Sequence, residues 1–168
     1  AQGGVLGKVE MRVGGAANER STSALLEAGD NKMVLHVDAF ERSTQNLQVP
    51  KNMTCGEAGP SNGRRVCNSA SDSSGAAVGG TLLFDRGHLG LSTSEYRSSY
   101  GTVAEPTVTI GMMRRHHVME GQWRGVGNAF EHLKFQMGHT NYTHTEYDAG
   151  VAGAQFDNLG DDLRLEAR

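Results

Sequence analysis

An all-β fold, an antiparallel up-and-down meander of about eight strands forming a barrel or partial barrel, is what this 168-residue chain predicts. Three features carry that expectation. Apolar and polar residues alternate with period 2 through most of the chain, the signature of a strand whose two faces meet different surroundings. No stretch of a dozen residues keeps a 3.6-residue spacing, and glycine, 23 in all, interrupts every helical candidate. Connections between alternating segments are short at one end and mostly longer at the other.

The elements follow in order. LGKVEMRVG (6–14) and RSTSALLEA (20–28) flank a short AANE connection. MVLHVDAFERS (33–43) follows GDNK, an Asp/Asn/Gly turn suited to a hairpin. Within it Val34, His36, Asp38 and Phe40 share one face and Met33, Leu35, Val37 and Ala39 the other. A polar, Gly/Ser-rich loop is expected over 44–77, then a hairpin of GGTLLFD and HLGLSTSEY around Asp85-Arg86-Gly87. A second loop is expected over 97–106. The segment 107–124 is long for a strand, since ~5–6 residues is typical. It returns as 132–147 across GVGNAF. A loop over 148–157 then leads to a last strand, LGDDLRLEAR.

Composition narrows the setting. Sixteen basic against 19 acidic residues, a formal charge of −3, give no electrostatic case for nucleic acid. Only 37% of residues are apolar and 6% aromatic, thin for a sheet buried in protein on both faces. No run approaches the ~20 apolar residues of a membrane helix, and AQGGVLGKVE does not have the pattern of a signal peptide. An outer-membrane barrel tolerates this weak hydrophobicity, because only alternate residues meet lipid while the lumen side stays polar. On that expectation Thr140, Tyr142, His144 and Glu146 line one face, with Met137, His139 and Asn141 on the other near the outer boundary.

GHLGLSTSEYRSSYG (87–101), VTIGMMRRHHVMEGQWR (108–124), HTNYTHTEYDAG (139–150) and FDNLGDDLRLEAR (156–168) resemble consecutive barrel strands of TonB-dependent outer-membrane receptors. The stretch 9–44 resembles strands that directly follow the plug of the same family, and the similarity runs in order over nearly the whole chain. The resemblance implies a bacterial outer-membrane location and energised uptake of a scarce nutrient, such as a metal chelate or metal ion. It implies lipid around the barrel and coupling to the TonB machinery. No plug, coupling box or terminal aromatic signal occurs in these residues, so 1–168 is expected to be one barrel segment, truncated at both ends. If isolated, such a segment is expected to close on itself or to form a homo-oligomer. The alternative is a stand-alone small barrel or β-rich domain that binds a metal or small ligand through histidines.

The candidate sites follow from residue type. Pairing 107–124 with 132–147 brings His117 beside His139 with His116 one position away; with His144 these are candidate ligands for zinc or another divalent cation. Against zinc, the SSYGTVAEPTVTIG stretch has no histidine where some zinc-importing receptors that the chain resembles are His-rich. Arg114 and Arg115, with Tyr142 and Glu146, are candidate contacts for a small-molecule ligand, and Arg64-Arg65 add charge that suits an anion. Such arginines also form lumen ion pairs with carboxylates. Cys55 and Cys67 enclose GEAGPSNGRRV, a spacing of neither redox nor zinc type. They are two free thiols or a disulfide holding one loop, and the disulfide is expected, with an oxidising compartment. No GxSxG, HExxH, P-loop or GxGxxG occurs, so no enzyme activity is expected.

Overall fold

The structure is a computed structural model that describes residues 3–56, 59, 61–127 and 130–168. The described residues contain no helix: eight antiparallel strands form one up-and-down sheet in sequence order, not closed into a barrel. The strands are β1 (Gly4–Gly14), β2 (Glu19–Gly29), β3 (Met33–Thr44), β4 (Ser71–Phe84), β5 (Gly87–Thr102), β6 (Glu105–Val126), β7 (Phe130–Asp148) and β8 (Val151–Ala167).

Two expected loops are strand instead. β5 runs on to Thr102 and β6 begins at Glu105, so 97–106 is the end of a hairpin closed by Val103 and Ala104. Likewise β8 begins at Val151, and 148–157 contains only the turn Ala149-Gly150, both at positive φ (49° and 82°) as a type I′ hairpin requires. Ser, Thr and Tyr are frequent in the first extension, and Gly and Ala in the second. Small and polar composition suggests loop, but Thr and Tyr suit a pleated surface, and the Gly/Ala segment is held extended by its pairing with β7. The long loop spans 45–70 rather than 44–77. At the other end the GDNK turn is closed by Asp30, whose carboxylate accepts the backbone N–H groups of Lys32 (2.8 Å) and Met33 (2.9 Å). Of GVGNAF, Asn128 and Ala129 lie outside the described residues.

The loop is pinned at three places. Gln45 and Gln48 donate backbone bonds to Ala17 and Ala16 in the β1–β2 connection. Asn46 Oδ1 accepts from the N–H of Ser69 and of Ala70. Asn68, at φ 49°, directs its amide NH2 to the carbonyls of Thr102, Glu105 and Val108. Gly101 is required there, because a Cβ would stand 1.9 Å from Asn68 Oδ1. The Cys55–Cys67 disulfide closes the loop on itself, with Cα atoms 5.5 Å apart, a restraint worth roughly 3 kcal/mol in the chain-entropy picture.

Because pairing is continuous, each side chain can be assigned to a face. One lateral row runs Gly7, Leu26, Val37, Val78, Thr93, His117, His139, Asp161. Below it on the same face lie Leu35, Leu82, Leu91, Met119, Met137 and Leu163. The opposite face carries Lys8, Glu10, Glu27, His36, Asp38 and Arg42, with Ser71 and Ser73 of β4 and Ser92, Ser94 and Ser98 of β5. The sheet therefore has an apolar and a polar face over all eight strands. Among the described residues only Cys67 and Ile110 are buried apolar residues, and Val37, Val78, Leu82 and Leu163 are each 47–63% exposed. The total accessible surface of 11590 Å² far exceeds the roughly 8,000 Å² that size scaling gives for a folded monomer of this mass.

The limit of the apolar band cuts obliquely across the rows. On β3 it falls between Ala39 and Glu41; on β7 it falls between Met137 and His139, four residues lower in the register. Four residues are about 14 Å of strand, and β3 to β7 is about 19 Å across the sheet, so strands meet the band at about 35° to its normal. On β4 the band runs from Phe84 to Ala76, about 27 Å of strand and about 22 Å along that normal.

Two outcomes follow from the pins. Asn68→Ala and Gly101→Ala should each speed amide exchange in 45–70 and at the β5–β6 tip by about tenfold, leaving β1–β3 unchanged. The partners of Asp30 hold its carboxyl below the usual range. Its contribution to stability is thus full above the unfolded pKa near ~4 and is lost as pH falls through the lowered folded value. Denaturation midpoints of the native chain and Asp30→Ala should differ at neutral pH and converge near about pH 2.

Candidate functional site

The chemistry-bearing residues concentrate in the upper halves of β5–β8, above the apolar limit, where period 2 sorts them to opposite faces. On the polar face Arg114 is paired directly with Tyr96 on one side and Tyr142 on the other. The row continues to Asn158 on β8 and, through Gly75, to Phe40 on β3. Tyr142 Oη is hydrogen-bonded to His144 Nδ1 at 3.2 Å, and His144 meets Phe156 edge-on with ring centres 5.6 Å apart. Glu146 lies on this face opposite Ile110, with its carboxylate 4.0 Å from His144 Nε2. Three of the four expected ligand contacts, Arg114, Tyr142 and Glu146, therefore share one surface.

Arg115 does not. Adjacent strand residues point to opposite faces, and Arg115 Nε donates to Glu95 at 2.7 Å on the other side. Glu95 also holds Arg97 at 2.6 Å, so Arg115 is committed to an ion pair. Arg64 and Arg65 lie apart from both, in the loop, where Arg65 reaches Gln45.

The same parity divides the histidines. His117 and His139 face one another with nearly parallel rings 6.3 Å apart, and His139 Nδ1 is 2.6 Å from Asp161 Oδ1. His116, opposite Thr140, and His144, opposite Met112, are on the polar face and four rows apart. One ion cannot be held by all four, and among the described residues no group of three or more His, Cys, Asp or Glu side chains is arranged to hold a metal. The polar face is instead laced with ion pairs, such as His36 with Glu27 (3.0 Å) and Asp38 (2.8 Å), and Arg42 with Glu19 (2.9 Å). A recess of about 830 Å³ belongs to the apolar face; its lining includes Leu35, Val78, Leu91, Met119, Met137 and Leu163.

Sequence reasoning did not single out Phe40, Tyr96 and Phe156. The Asp85 turn carried the signal for Tyr96, since counting outward from it sets Gly75 against Tyr96. Phe40 could not be placed, because the 45–70 loop hides the register of β3 with β4.

The split quartet has a measurable consequence. In zinc titrations followed by equilibrium dialysis, His117→Ala and His144→Ala should act additively on any affinity, as separated sites do; a single four-ligand centre would instead be abolished by either change. Compared with protein-family models and with curated proteins, the sequence of this chain matches none.

Proposed function

We propose that this chain is part of the barrel wall of a TonB-dependent outer-membrane receptor, which takes up a scarce nutrient such as a metal chelate or metal ion. The observation that carries the reading is the oblique limit of the apolar band. A soluble one-layer sheet has no reason to change polarity along a line about 35° off its rows, whereas strands of outer-membrane barrels tilt ~35–45° across a lipid layer. The band, about 22 Å deep by the spacing above, suits the ~25 Å apolar belt of such barrels. Exposed apolar surface of this extent is otherwise foreign to a soluble monomer. Phe84, Trp123 and Phe135 pack in sequence at its lower limit, with ring centres 5.7 and 5.8 Å apart, where interfacial aromatics belong. The specific family comes from the resemblance of the ordered strand sequences, not from the sheet.

In this reading the apolar face meets lipid and the polar face lines the lumen, whose water keeps the Glu27–His36–Asp38 and Glu19–Arg42 pairs solvated. The unpaired edges of β1 and β8 cannot remain bare in lipid. Neighbouring strands of the receptor's 22-stranded wall satisfy them, and the disulfide-stapled loop caps the extracellular end. Coupling to the TonB machinery drives release of the ligand into the periplasm. The chain supplies wall and ligand contacts rather than a catalytic group.

Adjacent substitutions test the wall directly. In lipid vesicles Val78→Arg, on the apolar face, should destabilise by about 2–4 kcal/mol, whereas Ala77→Arg, beside Asp38 on the polar face, should cost little. In cells of the source bacterium, aqueous maleimide should label Ala77→Cys and spare Val78→Cys. Equal labelling of the two, or a chain that stays monomeric and soluble without detergent, would sink the membrane reading. Uptake of the nutrient should stop when a protonophore collapses the energising gradient.

A further inference from the structure

The loop 45–70 joins β3 to β4, yet it fastens to the hairpin ends on both sides of that pair. On one side it meets the β1–β2 turn. The N–H groups of Gln45 and Gln48 donate to the carbonyls of Ala17 and Ala16 at 2.8 and 2.7 Å, and Asn18 Nδ2 donates to Gln45 Oε1 at 3.0 Å. On the other side it meets the β5–β6 tip, where the Asn68 amide serves the carbonyls of Thr102, Glu105 and Val108 and the Gly101 N–H donates to Ala70 at 3.2 Å. The loop is therefore a strap across the ends of β1 to β6.

Its two attachments differ in kind. Asn68 lies against Gly101 so closely that a Cβ there would collide with it, so the β5–β6 end is packed as well as hydrogen-bonded. At the β1–β2 end a recess of about 630 Å³ is lined by Ala16 together with Gln48, Val49, Pro50 and Arg64 of the strap, and the bonds there have little packing behind them. Gln48 depends in turn on a short ladder within the strap. Val66 N–H donates to Leu47, Val49 to Arg64 and Met53 to Gly63, with Gln48 bridged to Arg65. Pro50 has no N–H to add to that ladder, and an isolated two-stranded ribbon is marginal in water. The Cys55–Cys67 disulfide is the covalent restraint that keeps its arms together.

We propose that the disulfide makes this strap a redox-sensitive latch. Oxidised, the strap holds the β1–β2 turn; reduced, it leaves that turn while Asn68 keeps it on the β5–β6 tip. The reductant is a dithiol. Its thiolate attacks the sulfur of half-buried Cys55 rather than that of buried Cys67. The Cys55–Cys67 bond breaks as a mixed disulfide forms on Cys55, and Cys67 leaves as a thiolate that takes up a proton. The second thiolate of the reductant then closes a cyclic disulfide and releases Cys55, which is protonated in turn, so two electrons and two protons pass to the protein. That the latch governs the extracellular mouth of a lumen rests on the receptor reading. The latch itself does not.

The test is amide exchange, resolved by residue with NMR, on the full chain in detergent micelles before and after dithiothreitol. The mass gained with iodoacetamide shows that both thiols are free. Reduction should speed exchange at Gln48, Val49 and Met53 by at least about tenfold and leave Gly101 within about twofold. Cys55→Ser combined with Cys67→Ser should match the reduced chain, with unchanged circular dichroism showing that its sheet is intact, and reoxidation of the native chain should restore the slow rates. Unaltered protection at Gln48 after reduction, an equal loss at Gly101, or thiols that react only after denaturation would overturn the proposal. Its fate is separable from that of the membrane wall. A water-soluble monomer whose Gln48 protection still follows the disulfide refutes the wall alone, and a lipid-embedded chain whose Gln48 protection ignores it refutes the latch alone.

Discussion

A sheet one layer thick has no interior, and every feature of this molecule answers to that constraint. Helices or a second sheet ordinarily cover one face and create a core; here both faces of all eight strands stand open, and Ile110 is the nearest approach to a core side chain outside the disulfide. Backbone pairing holds the strands together, but hydrophobic burial has to come from the surroundings. The side chains divide accordingly. Leu82, Val78, Val37 and Leu163 present one continuous apolar surface, while the reverse side satisfies its charges strand to strand.

The polar face shows how a strand can be hydrophilic without becoming a loop. His36 lies between Glu27 and Asp38, and Glu19 holds Arg42 across the β2–β3 pair. Such pairs are weak stabilisers where water reaches them, but they carry little desolvation penalty and they penalise register slips, since a one-residue shift would turn every charge toward the apolar side. The upper ends of β5–β8 follow the same rule beyond the apolar limit, where both faces carry Thr, Tyr, Asn and His. There the stiffness of the hairpins, with Asn68 clamping the β5–β6 tip, sets Arg114, Tyr142 and His144 as neighbours on a firm surface.

Much of this was legible in the residues. Period 2 sets the faces of each strand, so the opposition of His36 and Asp38 to Leu35 and Val37 follows from the sequence, as do the His117–His139 pair and the three tight turns. These are local properties: parity and turn chemistry need no knowledge of distant chain. The disulfide was likewise an expectation of loop composition around Cys55 and Cys67. Three things required the tertiary structure. The polar tip at 97–106 and the Gly/Ala-rich one at 148–157 look like loops because composition does not report pairing, and only cross-strand hydrogen bonding shows them extended. The division of His116, His117, His139 and His144 between two faces was implicit in parity, yet adjacency in sequence made His116 and Arg115 seem to belong with their neighbours. Finally, the oblique apolar limit and the lateral row from Phe40 to Tyr142 exist only once the registers of successive strands are joined, and the 45–70 loop withholds one of those registers from any local reading. Each strand's alternation is a short-range fact about the pleat; the angle between a polarity boundary and the rows is a property of the whole sheet.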